Sequence, residues 1–233
     1  MNAKDILTRR NFMTLSGVSS LIALSGGLPL AAAGEGKKEA PHQYTPKNFS
    51  RLTGMNGFSK ELLENHFKLY NGYVAKTRMA LDTLHEMLKS EKQDSYEFGE
   101  LKRRLGWEFN GMRLHELYFD ALGGNGRLDM NSTLAKKITE QFGSVDRWMV
   151  DFKSTGKMRG IGWAVLYLDQ TTGKLIDFWI NEHDGGHPGG CTPLLIMDVF
   201  EHAFMLDYGL DKSAYIEAFF KNIDWEKVQA RMP

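Results

Sequence analysis

The sequence has almost no cysteine: Cys191 is the only one among 233 residues. A single thiol excludes an internal disulfide framework and any metal site built from several cysteines. Because Cys191 stands in a glycine-rich stretch, a small packing residue is a simpler interpretation than a catalytic thiol. The formal net charge is zero, so no bulk field directs the chain toward nucleic acid or a membrane surface.

Internal repeats are also lacking, and no low-complexity tract occurs beyond the first 33 residues. The remaining composition is ordinary, since hydrophobic residues make up 42% and charged residues 25% of the chain. These values are typical of a soluble globular protein. The length suffices for one domain or two small ones with a sizeable core.

Residues 1–33 differ from the rest of the chain. Arg9 and Arg10 precede an apolar run at 15–30, and three alanines follow it at 31–33. The run is too short and too interrupted to span a bilayer stably, and small residues after it suit signal peptidase. The pattern resembles a twin-arginine signal; a Sec signal and an uncleaved amphipathic N-terminus are the alternatives. We expect a signal peptide, export to the periplasm or another extracytoplasmic space, and no stable membrane association after processing.

Two long helices are predicted after a linker or N-terminal arm at 34–57. Ser59 is a good N-cap, and apolar residues recur at helical spacing from there to about Leu88. A polar stretch then separates a second helical pattern at 96–122, which ends at a pair of glycines. A short turn between long helices predicts an antiparallel helical hairpin, which we assign to a domain at 58–124.

The second half alternates short helices with short strands. Two helices are expected at 131–142 and 144–156, with N-caps at Asn131 and Ser144. Runs of β-branched and aromatic residues predict strands, and helical patterns return toward the C-terminus. The predicted strands are 163–168, 175–180 and 193–197, with a hairpin turn at 169–173, and the later helices are 199–207, 212–221 and 224–231. The fold class is therefore α+β: an N-terminal long α-helical hairpin followed by an α/β domain at 125–233 with a small three-stranded antiparallel sheet.

A carboxylate and an imidazole close together are the first chemical signal. Asp198 follows an apolar strand, and His202 lies four residues further on, where a helix places both side chains on one face. Oxygen and nitrogen ligands both suit iron or manganese, so the pair is a candidate part of a metal site. An N-capping aspartate beside a core histidine gives the same pattern, so the pair alone leaves the choice open.

Two further histidines strengthen the metal interpretation. His66 and His115 each lie on the apolar stripe of one of the predicted long helices. One such histidine is more often a core residue. Two of them on helices that pack together, with Asp198 and His202 downstream, indicate a four-ligand site. Because zinc also accepts three histidines and one aspartate, the ligand set does not choose the reaction.

Several motifs resemble the iron/manganese superoxide dismutase family. The strongest is 198–204, Asp-Val-Phe-Glu-His-Ala-Phe, which matches the family pattern Asp-x-Trp-Glu-His-Ala-Tyr. The second is 110–119, which matches the second-helix segment whose histidine binds metal. The resemblance runs from about Phe58 to Trp225, nearly the whole predicted mature chain. Shorter matches occur in the family's order at 162–163, 192–195 and 222–225.

The resemblance implies an enzyme that converts superoxide to dioxygen and hydrogen peroxide at one iron or manganese ion per subunit. His66, His115, Asp198 and His202 would be the four protein ligands, with bound solvent as the fifth. A metal-binding paralogue on the same fold without dismutase activity is the alternative, and a non-metal interaction module of the same shape is a third. We expect superoxide as a small anionic substrate, no nucleic-acid partner, and a homodimer or homotetramer.

The resemblance also implies roles for residues around the metal. Tyr73 would stand at the substrate entrance, and Trp163 would form a wall of the pocket. Glu201 would reach across a dimer interface to support His202 of the partner subunit. Tyr70 takes the place of a histidine that is usual between the first ligand and the entrance tyrosine.

Some positions depart from the family pattern. The family places an amide side chain beside the metal-bound solvent, a glutamine from the second helix or from the loop after the second strand. Here Gly111 holds the first of those positions and His183 the second, so His183 is the expected outer donor. Phe200 and Phe204 replace a tryptophan and a tyrosine beside the Glu-His pair, and Met205 stands where a tyrosine often bonds across the dimer. These exchanges affect the usual dimer network and leave the metal ligands intact.

Overall fold

The computed structural model describes residues 44–233. The predicted signal peptide at 1–33 and the first part of the predicted arm lie outside the described residues. Between residues 44 and 233, no helix is both long and apolar enough to cross a membrane.

The first half is the predicted hairpin of two long helices. Helix α1 spans Lys60–Lys89 and helix α2 spans Tyr96–Asp120. Their N-caps are Ser59 and Ser95, whose hydroxyls accept a backbone N–H three residues on, at 3.0 and 3.1 Å. Each bond satisfies a free N–H group of the first turn. Packing of the two helices brings the two histidines of the hairpin together, with ring centroids 5.1 Å apart.

The segment 44–57 packs against this hairpin and contributes apolar side chains to the core. Arg51 lies in a 3-10 turn at Ser50–Leu52. Its guanidinium donates to the carbonyl oxygens of Leu122 at 2.7 Å and Phe119 at 3.0 Å. Carbonyl groups at a helix end lack partners within the helix, so the segment caps the C-terminal end of α2.

Residues 125–233 place short helices around one sheet. The strands are β1 (Gly162–Asp169), β2 (Leu175–Asn181) and β3 (Cys191–Asp198). The sheet order is β2-β1-β3, and both pairings are antiparallel. The α+β class and the three-stranded antiparallel sheet are therefore confirmed for the described residues. The helices of this half are α3 (Thr133–Phe142), α4 (Val145–Lys157), α5 (Met205–Tyr208), α6 (Lys212–Lys221) and α7 (Trp225–Gln229).

The predicted helix at 199–207 was wrong over its first part, and only 205–207 is helical, in α5. Phe200 is extended, with φ −67° and ψ 154°, and a 3-10 turn at Glu201–Ala203 precedes α5. The side chain of Asp198 explains the break, because its Oδ1 accepts the Phe200 N–H at 2.9 Å. Such a local bond offers the backbone an alternative to the helix. Asp198 and His202 therefore do not share a helix face, and the turn alone brings them together.

The predicted N-cap of α3 was also wrong by one residue. Ser132 caps this helix, because its hydroxyl accepts the Ala135 N–H at 3.1 Å, and Asn131 lies outside. The predicted cap of α4 at Ser144 is confirmed by its bond from Arg147 N at 3.1 Å.

Asp177 of β2 is a half-buried carboxylate whose ionisation affects stability. Its Oδ1 accepts the Trp148 indole N–H at 3.3 Å, and its Oδ2 is buried without a partner in the described chain. Burial, with the charge of Asp151 adding to it, raises the pKa of Asp177 to about 7. The folded pKa thus exceeds the unfolded value of about 4. The contribution of Asp177 to the free energy of unfolding is therefore complete below about pH 4, and it is lost as the pH rises through about 7.

Replacing Asp177 by asparagine is expected to remove this loss. Between pH 4 and pH 8, the variant should gain up to about 4 kcal/mol in free energy of unfolding relative to the wild type. The two proteins should differ little in this pH dependence below pH 4. Urea unfolding of both proteins at matched metal content measures the difference. A difference that does not change with pH would contradict the role of Asp177.

Candidate metal centre

Four side chains from four separate elements meet at one buried point. His66 comes from α1, His115 from α2, Asp198 from the last position of β3 and His202 from the 3-10 turn that follows. One possible ligand atom from each lies within 4.8 Å of the others. The side chain of His202 is 26% exposed, and the other three are fully buried. The structure thus brings together the four residues that the sequence suggested as ligands.

Atom Oδ2 of Asp198 is the centre of this cluster. It lies 3.2 Å from Nε2 of His66, 3.2 Å from Nε2 of His202 and 3.5 Å from Nε2 of His115. Burial lowers the pKa of His66 and lowers the pKa of His115 well below its ordinary value. Burial alone would raise the pKa of Asp198, but its interactions with His202 and His66 outweigh this, and the pKa falls below its usual range. An ionised carboxylate therefore lies among imidazoles of which His66 and His115 are neutral.

His115 shows that the cluster fits a cation. Its Nδ1 donates to the carbonyl oxygen of Gly111 at 2.5 Å, so Nε2 of the neutral ring carries no proton. This Nε2 is buried, has no hydrogen-bond partner among residues 44–233, and faces the Asp198 carboxylate at 3.5 Å. Two electron-rich atoms facing each other in a buried site are unfavourable unless a cation compensates them. Three histidines and one aspartate suit a first-row metal ion such as iron, manganese or zinc.

Asp198 is held from several sides. Its backbone pairs with Trp163 across β3 and β1, and its Oδ1 accepts the Phe200 N–H at 2.9 Å. The hydroxyl of Tyr215 donates to its backbone carbonyl at 2.6 Å. Bonds of this kind fix the orientation of a ligand side chain, so Oδ2 is left pointing at the three imidazoles.

Trp163, His183 and Tyr73 form a hydrogen-bonded row beside the cluster. The Trp163 indole N–H donates to Nδ1 of His183 at 3.1 Å, and Nε2 of His183 bonds the Tyr73 hydroxyl at 2.7 Å. An indole N–H only donates, so the proton of a neutral His183 ring is on Nε2. Burial lowers the pKa of His183 to about 4, which keeps the ring neutral at pH 7. His183 therefore donates to the oxygen of Tyr73 and leaves the phenol proton free for another acceptor.

Tyr73 covers His115. Its ring stacks on the imidazole, with centroids 5.3 Å apart and an interplanar angle of 27°. A Cβ at Gly111 would lie only 2.6 Å from Cδ1 of Tyr73, so the glycine makes room for this ring. Burial raises the pKa of Tyr73 to about 12, and the charge of Asp198 adds to the effect. The position that lacks the family's amide is thus the position against which Tyr73 packs.

Trp107 belongs to this site and was not predicted from the sequence. Its ring meets His183 edge to face, with centroids 4.8 Å apart, and the guanidinium of Arg104 lies 5.0 Å from its ring centroid. A signal was available in the spacing. Trp107, Gly111 and His115 recur every four residues, so they share one side of α2.

The remaining predicted residues lie away from the cluster's centre. Tyr70 is buried, and its hydroxyl donates to Oε1 of Glu116 at 3.0 Å. Arg113 donates to the other oxygen of Glu116 at 2.6 Å. The hydrogen bond from Tyr70 therefore joins α1 to α2. Glu201 is exposed, and its role across a dimer interface stays a prediction.

The fold and the cluster define a class of protein: an α+β metalloprotein with a buried site of three histidines and one aspartate. Comparisons with known proteins narrow this class. Residues 130–231 match the family described as iron/manganese superoxide dismutases, C-terminal domain. The chain is 35% identical to the iron superoxide dismutase of Aquifex pyrophilus over 195 residues. This alignment covers 82% of the chain and 91% of the Aquifex protein.

Two other relatives agree. The iron superoxide dismutase of Cupriavidus metallidurans is 36% identical over 180 residues, covering 76% of this chain and 89% of that protein. Manganese superoxide dismutase 1 of Haloferax volcanii is 31% identical over 170 residues, with 72% and 82% covered. The chain belongs to the iron/manganese superoxide dismutase family, which confirms the family predicted from its motifs.

Proposed function

We propose that the chain is a superoxide dismutase whose iron or manganese ion is held by His66, His115, Asp198 and His202. Two superoxide anions and two protons give dioxygen and hydrogen peroxide, so one superoxide is oxidised and the other is reduced. The observation that supports the proposal most strongly is the buried Nε2 of His115. It has no hydrogen-bond partner in the part of the chain that the structure describes, and it faces a carboxylate in a chain of this family. We also propose one ion per subunit, held by the single cluster found among residues 44–233.

The ion would supply the electron transfer by alternating between two oxidation states. The chain's own residues hold that ion and supply a proton. The reduced oxygen species needs two protons to leave as hydrogen peroxide: Tyr73 supplies one, and solvent supplies the other. The phenol of Tyr73 is protonated at neutral pH, because burial raises its pKa to about 12. Its oxygen accepts from Nε2 of His183, so its own proton is available to the substrate.

His183 stabilises the oxygen that remains when Tyr73 gives up its proton. The Nε2–H of His183 points to that oxygen because Trp163 occupies the other ring nitrogen. A pKa of about 4, lowered by burial, keeps His183 neutral through the whole neutral range. The orientation of this row therefore does not change with pH near 7, and solvent restores the proton of Tyr73.

Replacing Tyr73 by phenylalanine is expected to leave the metal content unchanged and to lower the rate of superoxide dismutation by about 10–100-fold. The ring and its stacking on His115 remain, and only the hydroxyl is lost. Metal analysis and a superoxide-decay assay measure the two effects. Tyr96 is 80% exposed, so Tyr96→Phe is a matched control that should change neither. Loss of metal from Tyr73→Phe would contradict the placement of Tyr73 outside the ligand set.

Metal analysis and reconstitution test the proposal as a whole. The purified protein should contain iron or manganese, and the metal-free protein should regain superoxide dismutation with at least one of these ions. The ion that restores the faster decay is the one with which this site is more active. A metal-loaded protein that is inactive with both ions is instead a metal-binding paralogue, an alternative motivated by Gly111, Phe200 and Met205. A protein that binds neither ion contradicts both readings.

We further propose that the chain is exported. The supporting feature is the pair Arg9 and Arg10 ahead of the apolar run at 15–30, followed by small residues. Fractionation of cells that express the full chain should place the processed protein in an extracytoplasmic compartment. Replacing both arginines by lysine should retain the precursor inside the cell, whereas unchanged export would point to the Sec route.

A homodimer is proposed for the mature protein. Glu201 is exposed on the turn that carries His202, and the neighbouring Met205 and Leu206 are 43% and 55% exposed. Exposed apolar residues that lie together favour a protein contact. Native mass spectrometry should give twice the subunit mass; four times that mass would indicate the homotetramer, and a monomer would contradict the proposal.

A further inference from the structure

The loop after β2 is tied to β1 by two matching hydrogen bonds. Trp163 and Tyr167 lie four residues apart on β1, and His183 and His187 lie four residues apart in the loop. Trp163 donates to Nδ1 of His183 at 3.1 Å, and the Tyr167 hydroxyl lies 2.8 Å from Nδ1 of His187. Nε2 of His187 is 2.8 Å from the carbonyl oxygen of His183. The two bonds made by His187 have no part in the reaction described above.

The chemistry of the partners fixes the direction of these bonds. A carbonyl oxygen only accepts, so Nε2 of His187 carries a proton. When the ring carries this proton alone, its Nδ1 accepts and the Tyr167 hydroxyl is the donor. Tyr167 is 3% exposed, and burial raises its pKa, so the hydroxyl keeps its proton. A directed chain of hydrogen bonds thus runs from β1 through His187 to the backbone of His183.

The loop has a backbone that needs such support. Glu182, directly before His183, lies in the left-handed region at φ 51°, which residues with a Cβ disfavour. Gly186, between the two histidines, has φ 98°. Conformations of this kind persist when surrounding contacts determine them. Asn181 and Gly185 exchange backbone hydrogen bonds of 2.8 and 3.1 Å across the start of the loop, and the bond from His187 fixes the carbonyl of His183 itself.

We propose that His187, anchored by Tyr167, is a positioning residue that holds the backbone of His183 so that Nε2 of His183 reaches the Tyr73 hydroxyl. Both ring nitrogens of His187 are engaged by Tyr167 and by His183, so His187 acts on the site through His183. Only the last step, in which His183 contributes to superoxide dismutation, rests on the proposed function.

Two substitutions at position 187 separate hydrogen bonding from packing. His187→Leu keeps an apolar volume and removes both bonds. His187→Gln can retain both, because its amide N–H can donate to the His183 carbonyl and its amide oxygen can accept from Tyr167. In the metal-loaded protein, His187→Leu should lower dismutation about tenfold with unchanged metal content. His187→Gln should recover most of the lost activity, and a glutamine variant as impaired as the leucine variant would overturn the proposal.

The same leucine substitution in a His183→Ala background tests whether His187 acts through His183. Once His183 is absent, its backbone position no longer affects Tyr73, so His187→Leu should produce no further loss of activity. A further loss of about tenfold, the size expected in the parent protein, would show that His187 acts by another route and would overturn the proposal.

Amide hydrogen exchange gives a readout that does not depend on activity. Exchange in the segment 181–187 of the metal-loaded protein should become faster in His187→Leu and in Tyr167→Phe. It should stay as in the wild type in His187→Gln and in the control His85→Leu, which removes a histidine from α1. Unchanged exchange in His187→Leu would overturn the proposal. If the wild-type protein does not dismutate superoxide, the proposed function fails, and the exchange measurement still decides the role of His187.

Discussion

Replacing Asp198 by alanine is expected to abolish metal binding and superoxide dismutation together. Its Oδ2 is the atom on which three imidazole nitrogens converge, at 3.2 to 3.5 Å. Without it, the three imidazoles face a site that has lost the charge needed to offset a cation. Removing a residue that only hydrogen-bonds a metal ligand typically lowers metal affinity roughly 10–100-fold. Removing the ligand Asp198 itself should lower it by more than that. Metal analysis and a superoxide-decay assay on the same sample measure both effects.

Asp177→Asn is the matched control for this substitution. It also removes a carboxylate, a half-buried one in β2, where the side chain bonds Trp148 and lies outside the ligand cluster. This variant should bind metal and dismutate superoxide like the wild type. Retained metal with unchanged activity in Asp198→Ala would refute the ligand assignment.

Introducing glutamine at Gly111 is the second change with a large expected effect. It places the family's amide in α2, yet it should impair this protein. A Cβ at this position lies 2.6 to 2.9 Å from three ring atoms of Tyr73, so the ring must leave His115 and its bond to His183. We expect stability to fall by about 2–3 kcal/mol, the upper part of the range for overpacking. Dismutation should fall as well, because the phenol of Tyr73 is displaced.

Gly99→Gln tests whether the effect of the Gly111 substitution is local. Gly99 lies in the same helix, and an added Cβ there meets nothing within 4 Å. It should stabilise the helix slightly, by up to about 1 kcal/mol, and leave activity unchanged. Urea unfolding and superoxide decay compare the two variants. A Gly111→Gln protein as stable and active as the wild type would show that Tyr73 does not depend on the glycine.

Much of the fold followed from local sequence patterns. Serine caps and helical spacing gave the hairpin helices α1 and α2, and the runs at 163–168 and 175–180 gave strands within two residues of their observed ends. These features depend on neighbouring residues in the chain, so periodicity captures them. The extended backbone after Asp198 was not predicted, because a single hydrogen bond from Phe200 N to the Asp198 side chain outweighs the helical pattern.

The site was predictable only in part. Ligand residue types and motif order pointed to His66, His115, Asp198 and His202, and the structure brings these four together. The partners around them come from tertiary contacts between distant segments. Trp107 meets His183 across 76 positions of sequence, and Tyr167 of β1 meets His187 of the loop after β2 across 20 positions. The four-residue spacing places Trp107 on the side of α2 that carries His115, but it does not show that Trp107 meets His183. Contacts between distant segments leave no local pattern, so the sequence could not show which residues orient His183.

The most direct test of the central claim is the rate of superoxide decay measured against metal occupancy. Metal-free protein is titrated with iron and, separately, with manganese, and the bound ion per subunit is determined at each point. We predict that the decay rate rises linearly with occupancy for at least one ion and saturates at one ion per subunit. Asp198→Ala should show no rise under the same conditions. Full occupancy of the wild-type protein by either ion without superoxide decay would contradict the account.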